Sequence, residues 1–268
     1  MKRTTLLWIV AIIITLPVSY FQRVTGPTYR LTGTVMLDGT ELSYRMERSH
    51  GGEEDAPVRI HTGDPEIRGT LEWKRHKVQE PWYKVEMRFF DGELLAALPH
   101  QPPAGKLEYS IRIAKGEETI LVPPDAPVVI RFKGDIPPHY LYTHILVMIV
   151  AFLFSTRAGL EYFSDESIKK EYVLWTVGIL FAGGLVLGPV VQFYAFDAWW
   201  TGWPLGTDLT DNKTALAFIG WMIAALAMKK SRNPKAWALG AAVLMIAVYL
   251  IPHSLFGSEL DYSSLGQP

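Results

Sequence analysis

The sequence predicts an α+β membrane protein, in which an extracytoplasmic antiparallel β-sandwich is joined to a four-helix transmembrane bundle and preceded by an additional N-terminal transmembrane anchor. Three observations carry that reading. Long apolar runs gather at the N-terminus and after residue 138, whereas the stretch between them alternates apolar with polar residues and is charged throughout. Asp-Gly pairs, which suit tight hairpin turns, punctuate the alternating stretch. Lys and Arg beside the apolar runs fall on one side of the membrane that those runs imply.

Composition bounds the rest. A chain of 268 residues with a net charge of −1 carries no electrostatic footprint for nucleic acid, so DNA and RNA are set aside as partners. The absence of Cys removes disulfides, Cys-ligated zinc, iron–sulfur clusters and thiol catalysis together. The modest mean hydropathy of +0.13 averages two unlike parts.

Residues 1–26 open with Lys2 and Arg3 and continue into a run from Leu6 to Ile14. This is the pattern of a membrane anchor or an uncleaved signal, since the exit Pro17-Val18-Ser19-Tyr20 lacks a peptidase site of paired small residues. Residues 27–135 form the sandwich. Asp38-Gly39 sets Val35 opposite Leu42, Gly33 opposite Tyr44 and Leu31 opposite Met46, with Arg30 facing Glu47 on the polar side. Asp91-Gly92 sets Phe89 opposite Leu94 and Met87 opposite Ala96, and Lys115-Gly116 sets Ile111 opposite Ile120 and Tyr109 opposite Val122. Alternating runs at 67–75 and 128–132 bring the expectation to about eight strands. His50-Gly51-Gly52 reads as a solvated hairpin loop.

Residues 136–256 are the bundle, with spans at about 139–156, 172–194, 213–229 and 236–252, and residues 257–268 are an extracytoplasmic tail. With the N-terminus cytoplasmic, the inner segments hold Lys2, Arg3, Arg157, Lys169, Lys170, Lys229, Lys230, Arg232 and Lys235, and the short outer ones hold Lys213 alone. That asymmetry sends residues 22–138 and the C-terminus to the periplasmic side of an inner membrane. No Asp, Glu, Lys or Arg falls within the apolar stretches 139–156, 172–196, 214–228 and 236–252 that form the spans, which counts against ion-coupled transport. Gly184 with Gly188, and Ala236 with Gly240, have the small-residue spacing of closely packed helices.

The run Leu98-Pro99 to Gly105, followed by an alternating strand, resembles the strand-opening pattern of fibronectin-III and other immunoglobulin-like domains. That likeness implies a recognition or spacer role for the sandwich.

Candidate chemistry collects at the outer edge of the membrane half. The loop bearing Trp199, Trp200, Trp203, Asp208 and Asp211 is a candidate ligand-binding turn, although tryptophan also suits the lipid–water boundary and Thr210 or Asp211 suits the cap of the following helix. His144, His253, Asp208 and Asp211 are the alternative reading, ligands for a divalent metal or haem. No catalytic motif and no cofactor signature is present. Arg157 and Glu161, four apart, suit a pair on one helical edge. The expectation is therefore a non-enzymatic multi-pass protein whose partners are the lipid bilayer and another envelope or membrane protein. The alternatives are a membrane-interface enzyme or redox subunit, and a small transporter or channel subunit.

Overall fold

The structure, a computed structural model, describes residues 3–165 and 167–265, so Lys2 lies outside the described residues. It is mixed α+β and divides into two compact units. One contains residues up to 27 and 136–258, the other residues 28–135 and the segment from Glu259 onward.

The strand unit holds eleven strands in three sheets. β1 (Leu31–Leu37) pairs with β2 (Thr40–Met46) alone, and β4 (Ala56–His61), β8 (Glu93–Leu98) and β7 (Arg88–Phe90) form a second sheet. The third sheet runs β3 (Ser49–Gly51), β11 (Val128–Lys133), β9 (Lys106–Lys115), β5 (Arg68–Arg75), β6 (Tyr83–Glu86), with β10 (Glu118–Val122) also on β9. Pairing is antiparallel except between β3 and β11. Alternation turns one face of each sheet into a common core. Leu37, Leu42, Ile60, Leu71, Leu94, Ile111 and Phe132 are buried there.

The first hairpin has the expected register from Leu31↔Met46 to Leu37↔Thr40, and Asp38 and Gly39 both take the positive φ that the two-residue turn demands. Arg30 and Glu47 fall outside it, and Glu47 pairs with Arg45 at 2.8 Å instead. Phe89 faces Leu94, but Met87 leaves its expected partner Ala96, and its N–H donates to Gly69 O at 2.8 Å. In the third hairpin Ile111 faces Val122 and Ile113 faces Ile120. The turn is thus Gly116-Glu117, one residue later than expected. Lys115 stays in the strand, where its ammonium reaches Asp38 and Asp64, each at 3.0 Å. A two-residue change of partner keeps every side chain on its face, so the core is unaffected. His50 is not in a hairpin loop but in β3, and its Nε2 meets Glu54 O at 3.0 Å.

The segment after residue 258 is part of this unit. Leu260 N–H donates to Ala104 O at 3.1 Å, and the Tyr262 hydroxyl accepts from Lys106 N–H at 2.9 Å and donates to Lys106 O at 3.0 Å. Glu259 bridges Lys106 at 2.5 Å and Lys77 at 2.6 Å. Burial alone would raise the Glu259 carboxyl, but the two ammonium groups overcome it and hold the pKa at about 2.

The helix unit holds α1 (Arg3–Val24), α2 (Pro138–Leu160), α3 (Lys170–Leu180), α4 (Gly188–Phe196), α5 (Leu209–Ala227) and α6 (Pro234–Leu250). Proline fits the first turns of α2 and α6, where its missing N–H costs nothing, and the Asn233 side chain accepts the Ala236 N–H at 3.2 Å. A π-helical stretch, Phe181–Leu187, joins α3 to α4 as one rod.

Among the described residues three helices are long and apolar enough to cross a membrane: Arg3–Val24, Pro138–Phe163 and Lys170–Phe196. The span expected at 236–252 is a 17-residue helix, and α5 carries Asp211, Asn212 and Lys213 in its first two turns, which shortens its apolar part. α1 is more than an appended anchor. Its Trp8 ring stands edge-on to Phe154 and Tyr172 at 5.5 and 5.6 Å, and Ala11 and Thr15 are buried. α2 continues past the expected span at 139–156 and carries Arg157, fully buried beside Glu161.

Small residues set the helix contacts, though not all of those expected. A Cβ on Gly184 would lie 2.7 Å from Thr214 of α5, whereas Gly188 has only ordinary contacts, Gly240 has open space and Ala236 is exposed. The close approach of α6 occurs at Gly159 of α2, where a Cβ would stand 2.4 Å from that of Ala242. The expected pair thus lies on the wrong side of α6, about half a turn of phase from Ala238, Ala241 and Ala242, which are buried.

Candidate functional site

Polar groups of the helix unit concentrate where α4 and α6 end and α5 begins. Asp197 closes α4 in the left-handed conformation, and the chain then makes a compact loop to Asp208, the N-cap of α5. Asp208 and Asp211 are both 8% exposed and both turned inward. Asp211 Oδ2 accepts the N–H groups of Thr201 at 2.7 Å and Gly202 at 3.0 Å, with the Thr201 hydroxyl at 3.3 Å. Asp208 Oδ1 caps the helix at Thr210 N–H, 2.8 Å, while its Oδ2 accepts from Ser258 N–H at 2.9 Å and Ser258 Oγ at 3.0 Å. Asn212 Oδ1 takes the Trp203 N–H at 2.6 Å. Charged acceptors on backbone donors make the strong class of hydrogen bond, so these side chains fix the loop and the segment after α6.

Glycine is required at two points of this knot. A side chain at Gly202 would meet Asp211 Cβ at 2.6 Å, and one at Gly206 would meet Thr201 O at 2.3 Å. Gln192 of α4 adds a bond to Thr201 Oγ1 at 2.6 Å. Lys213 lies one turn into α5 and is 5% exposed. Its Nζ donates to Ile251 O at 2.9 Å and Pro252 O at 3.4 Å, the carbonyls just past α6, where a cation complements the negative end of the helix dipole.

The five residues expected to form a binding turn therefore share one loop but face two ways. Asp208 and Asp211 are internal struts. Trp199 and Trp203 point outward, with exposures of 57% and 78%, and Trp200 is half-buried with its indole N–H donating to Trp203 O at 3.1 Å. His144, the alternative ligand, is in α2, and its Nδ1 lies 2.9 Å from Gly183 O in the π-helical stretch. His253 has an exposed side chain after α6. Among the described residues no three His, Cys, Asp or Glu side chains converge as a metal site would need.

Two features lay beyond the sequence reading. Lys213 had been an ordinary outer charge. Its position in the first turns of α5 is unfavourable for that helix's own dipole, and this is the signal that it serves another helix. The second is an open groove of about 650 Å³ in the strand unit, bordered by Tyr44, Arg45, Glu47, Arg59, His61 and Glu93. It lies along β2 and β4, each of which pairs on one side only.

No protein-family model matches the chain, and no curated protein matches it.

Proposed function

We propose that this chain is a multi-pass inner-membrane protein that presents an immunoglobulin- or fibronectin-III-like β-sandwich outside the cytoplasm for protein interaction, assembly or sensing. The observation that carries the reading is the distribution of side chains in the helix unit. Ile13, Leu146, Leu174, Ile219 and Val243 are exposed, while Thr15, Ser155, Thr176 and Arg157 are buried. Water as solvent would reward the reverse, and hydrocarbon rewards this one. The asymmetry of Lys and Arg supports a cytoplasmic N-terminus with residues 22–138 and the C-terminus periplasmic.

The groove of the strand unit supports an interaction role over a catalytic one. Two strands with an unpaired side border it, and an extended segment of a partner adds naturally to such an edge, with Arg45, Arg59, Glu47 and Glu93 as polar contacts. The inward commitment of Asp208 and Asp211 argues the same way, since each carboxylate already accepts several hydrogen bonds.

Membrane fractionation followed by protease treatment of intact spheroplasts tests this directly. The strand unit should be digested in intact spheroplasts, and the chain should stay in the pellet after ultracentrifugation without detergent. A strand unit protected in intact spheroplasts, or a chain left in the supernatant, refutes the proposal. Stoichiometric metal or a haem spectrum in protein purified in mild detergent would favour the enzyme or redox reading.

A further inference from the structure

The α4–α5 loop combines rigidity with outward apolar side chains. Its backbone N–H groups at Thr201, Gly202, Trp203, Leu205, Gly206 and Asp208 all have acceptors within the helix unit. Trp200 folds back over the loop with its indole N–H on Trp203 O, but Trp203 and Leu205 are each 78% exposed. Phe256, also 78% exposed, is two residues from Ser258, which Asp208 of the same knot holds. Residues 198–207 carry no charge, and the acids that follow, Asp208 and Asp211, are turned inward. Isolated exposed apolar residues need no explanation, but three large ones held out by one hydrogen-bonded knot do.

We infer that this loop, with the segment carrying Phe256, is a preformed anchor whose Trp203, Leu205 and Phe256 side chains insert into the headgroup–acyl boundary of the bilayer. The inference rests on the membrane reading above and adds to it a defined part of the chain at a defined depth. Lipid is the occupant because outward apolar side chains do not stop at the helix ends. The Trp199 ring lies flat on Phe193 of α4, 4.5 Å away and 16° from parallel, and α4 and α5, which the loop joins, also expose Tyr194, Leu216 and Ile219. Tryptophan with an uncharged loop suits the boundary, where an apolar body and a wet rim are both satisfied.

The cysteine-free sequence makes the test simple, because any single Cys is a unique labelling site in this chain. Leu205→Cys and Phe256→Cys would each carry an environment-sensitive fluorophore in proteoliposomes, beside Ile13→Cys in the middle of α1 and Glu53→Cys on the strand unit. Boundary side chains sit about 5–10 Å into the membrane. The labels at 205 and 256 should therefore be quenched about twofold more by lipids spin-labelled near the headgroup than by lipids labelled near the chain ends, and Ile13 the reverse. If the label at Ile13 is in lipid while those at 205 and 256 are as open to aqueous iodide as Glu53, the loop stands in water, free for a protein partner. The inference is then wrong although the membrane reading holds. If Ile13 is itself open to iodide, both fall.

Discussion

Replacing one member of the buried Arg157–Glu161 pair should destabilise the helix unit far more than replacing both. The guanidinium Nη1 and Glu161 Oε1 are 2.5 Å apart and the side chains are 1% and 2% exposed. Among the described residues Arg157 Nε and Glu161 Oε2 have no hydrogen-bond partner, so the pair is the main compensation either charge has. Leaving one charge of such a pair alone costs about 3–5 kcal/mol. In Glu161→Leu the orphaned Arg157 keeps the ring faces of Tyr172 at 4.8 Å and Trp8 at 5.6 Å, each contributing about 0.5–2 kcal/mol. Its loss should sit near the lower end, about 3 kcal/mol. The orphaned Glu161 of Arg157→Met has no such cushion and should approach about 5 kcal/mol. The double variant removes both charges from an apolar setting and should return to within about 1 kcal/mol of the parent, so the single effects will not add. Titration with SDS in mild detergent, followed by circular dichroism at 222 nm, reads the helices selectively. Single variants that both unfold within about 0.5 kcal/mol of the parent would show that the pair is hydrated, and the reasoning would be wrong.

Three further outcomes follow from the packing and the knot. Gly159→Val should cost about 1–3 kcal/mol by forcing α2 and α6 apart, whereas Gly240→Ala, with open space around it, should be neutral or stabilising by up to about 1 kcal/mol; the same SDS titration compares them. Asp211→Ala removes an acceptor from two backbone N–H groups, a loss of about 3 kcal/mol that should speed amide hydrogen exchange at Thr201 and Gly202 roughly a hundredfold without unfolding α5. Glu259 has a folded pKa below its ordinary value, so its contribution is present above about pH 4.5 and is lost as pH falls toward about 2. Because Glu259 is 39% exposed the contribution is screened to about 1 kcal/mol, and the difference in urea stability between the parent and Glu259→Gln should shrink over that window and with added salt.

Local chemistry was readable wherever one short segment decided the outcome. The first hairpin needed only Asp38-Gly39 and the alternation on either side. The third turn moved by one residue because Lys115 is held by Asp38 and Asp64, which lie far off in sequence. β4 escaped notice because Pro57 argues against a strand, yet β4 is an edge strand, where a missing N–H is tolerated. In the helix unit the apolar runs marked the helices, but helical phase decided which small residues touch, and Gly159 with Ala242 could not be told from Gly240 without it. At the candidate site the sequence suggests Thr210 or Asp211 as the cap, but α5 starts earlier and Asp208 takes that role, because three neighbouring polar residues suit a helix start equally well. The inward turn of Asp211 depended on Thr201 and Gly202, across the loop.

The hold that Glu259 and Tyr262 keep on Lys106 has a bearing on how the polypeptide is made and handled. The sheets are woven from an early stretch of the chain, but their last fastening is supplied only after every helix has been synthesised. A fragment cut at residue 135 would be an unbuttoned version of this unit, and a bulky fusion placed close behind Tyr262 would pull at the clasp before it reached anything else.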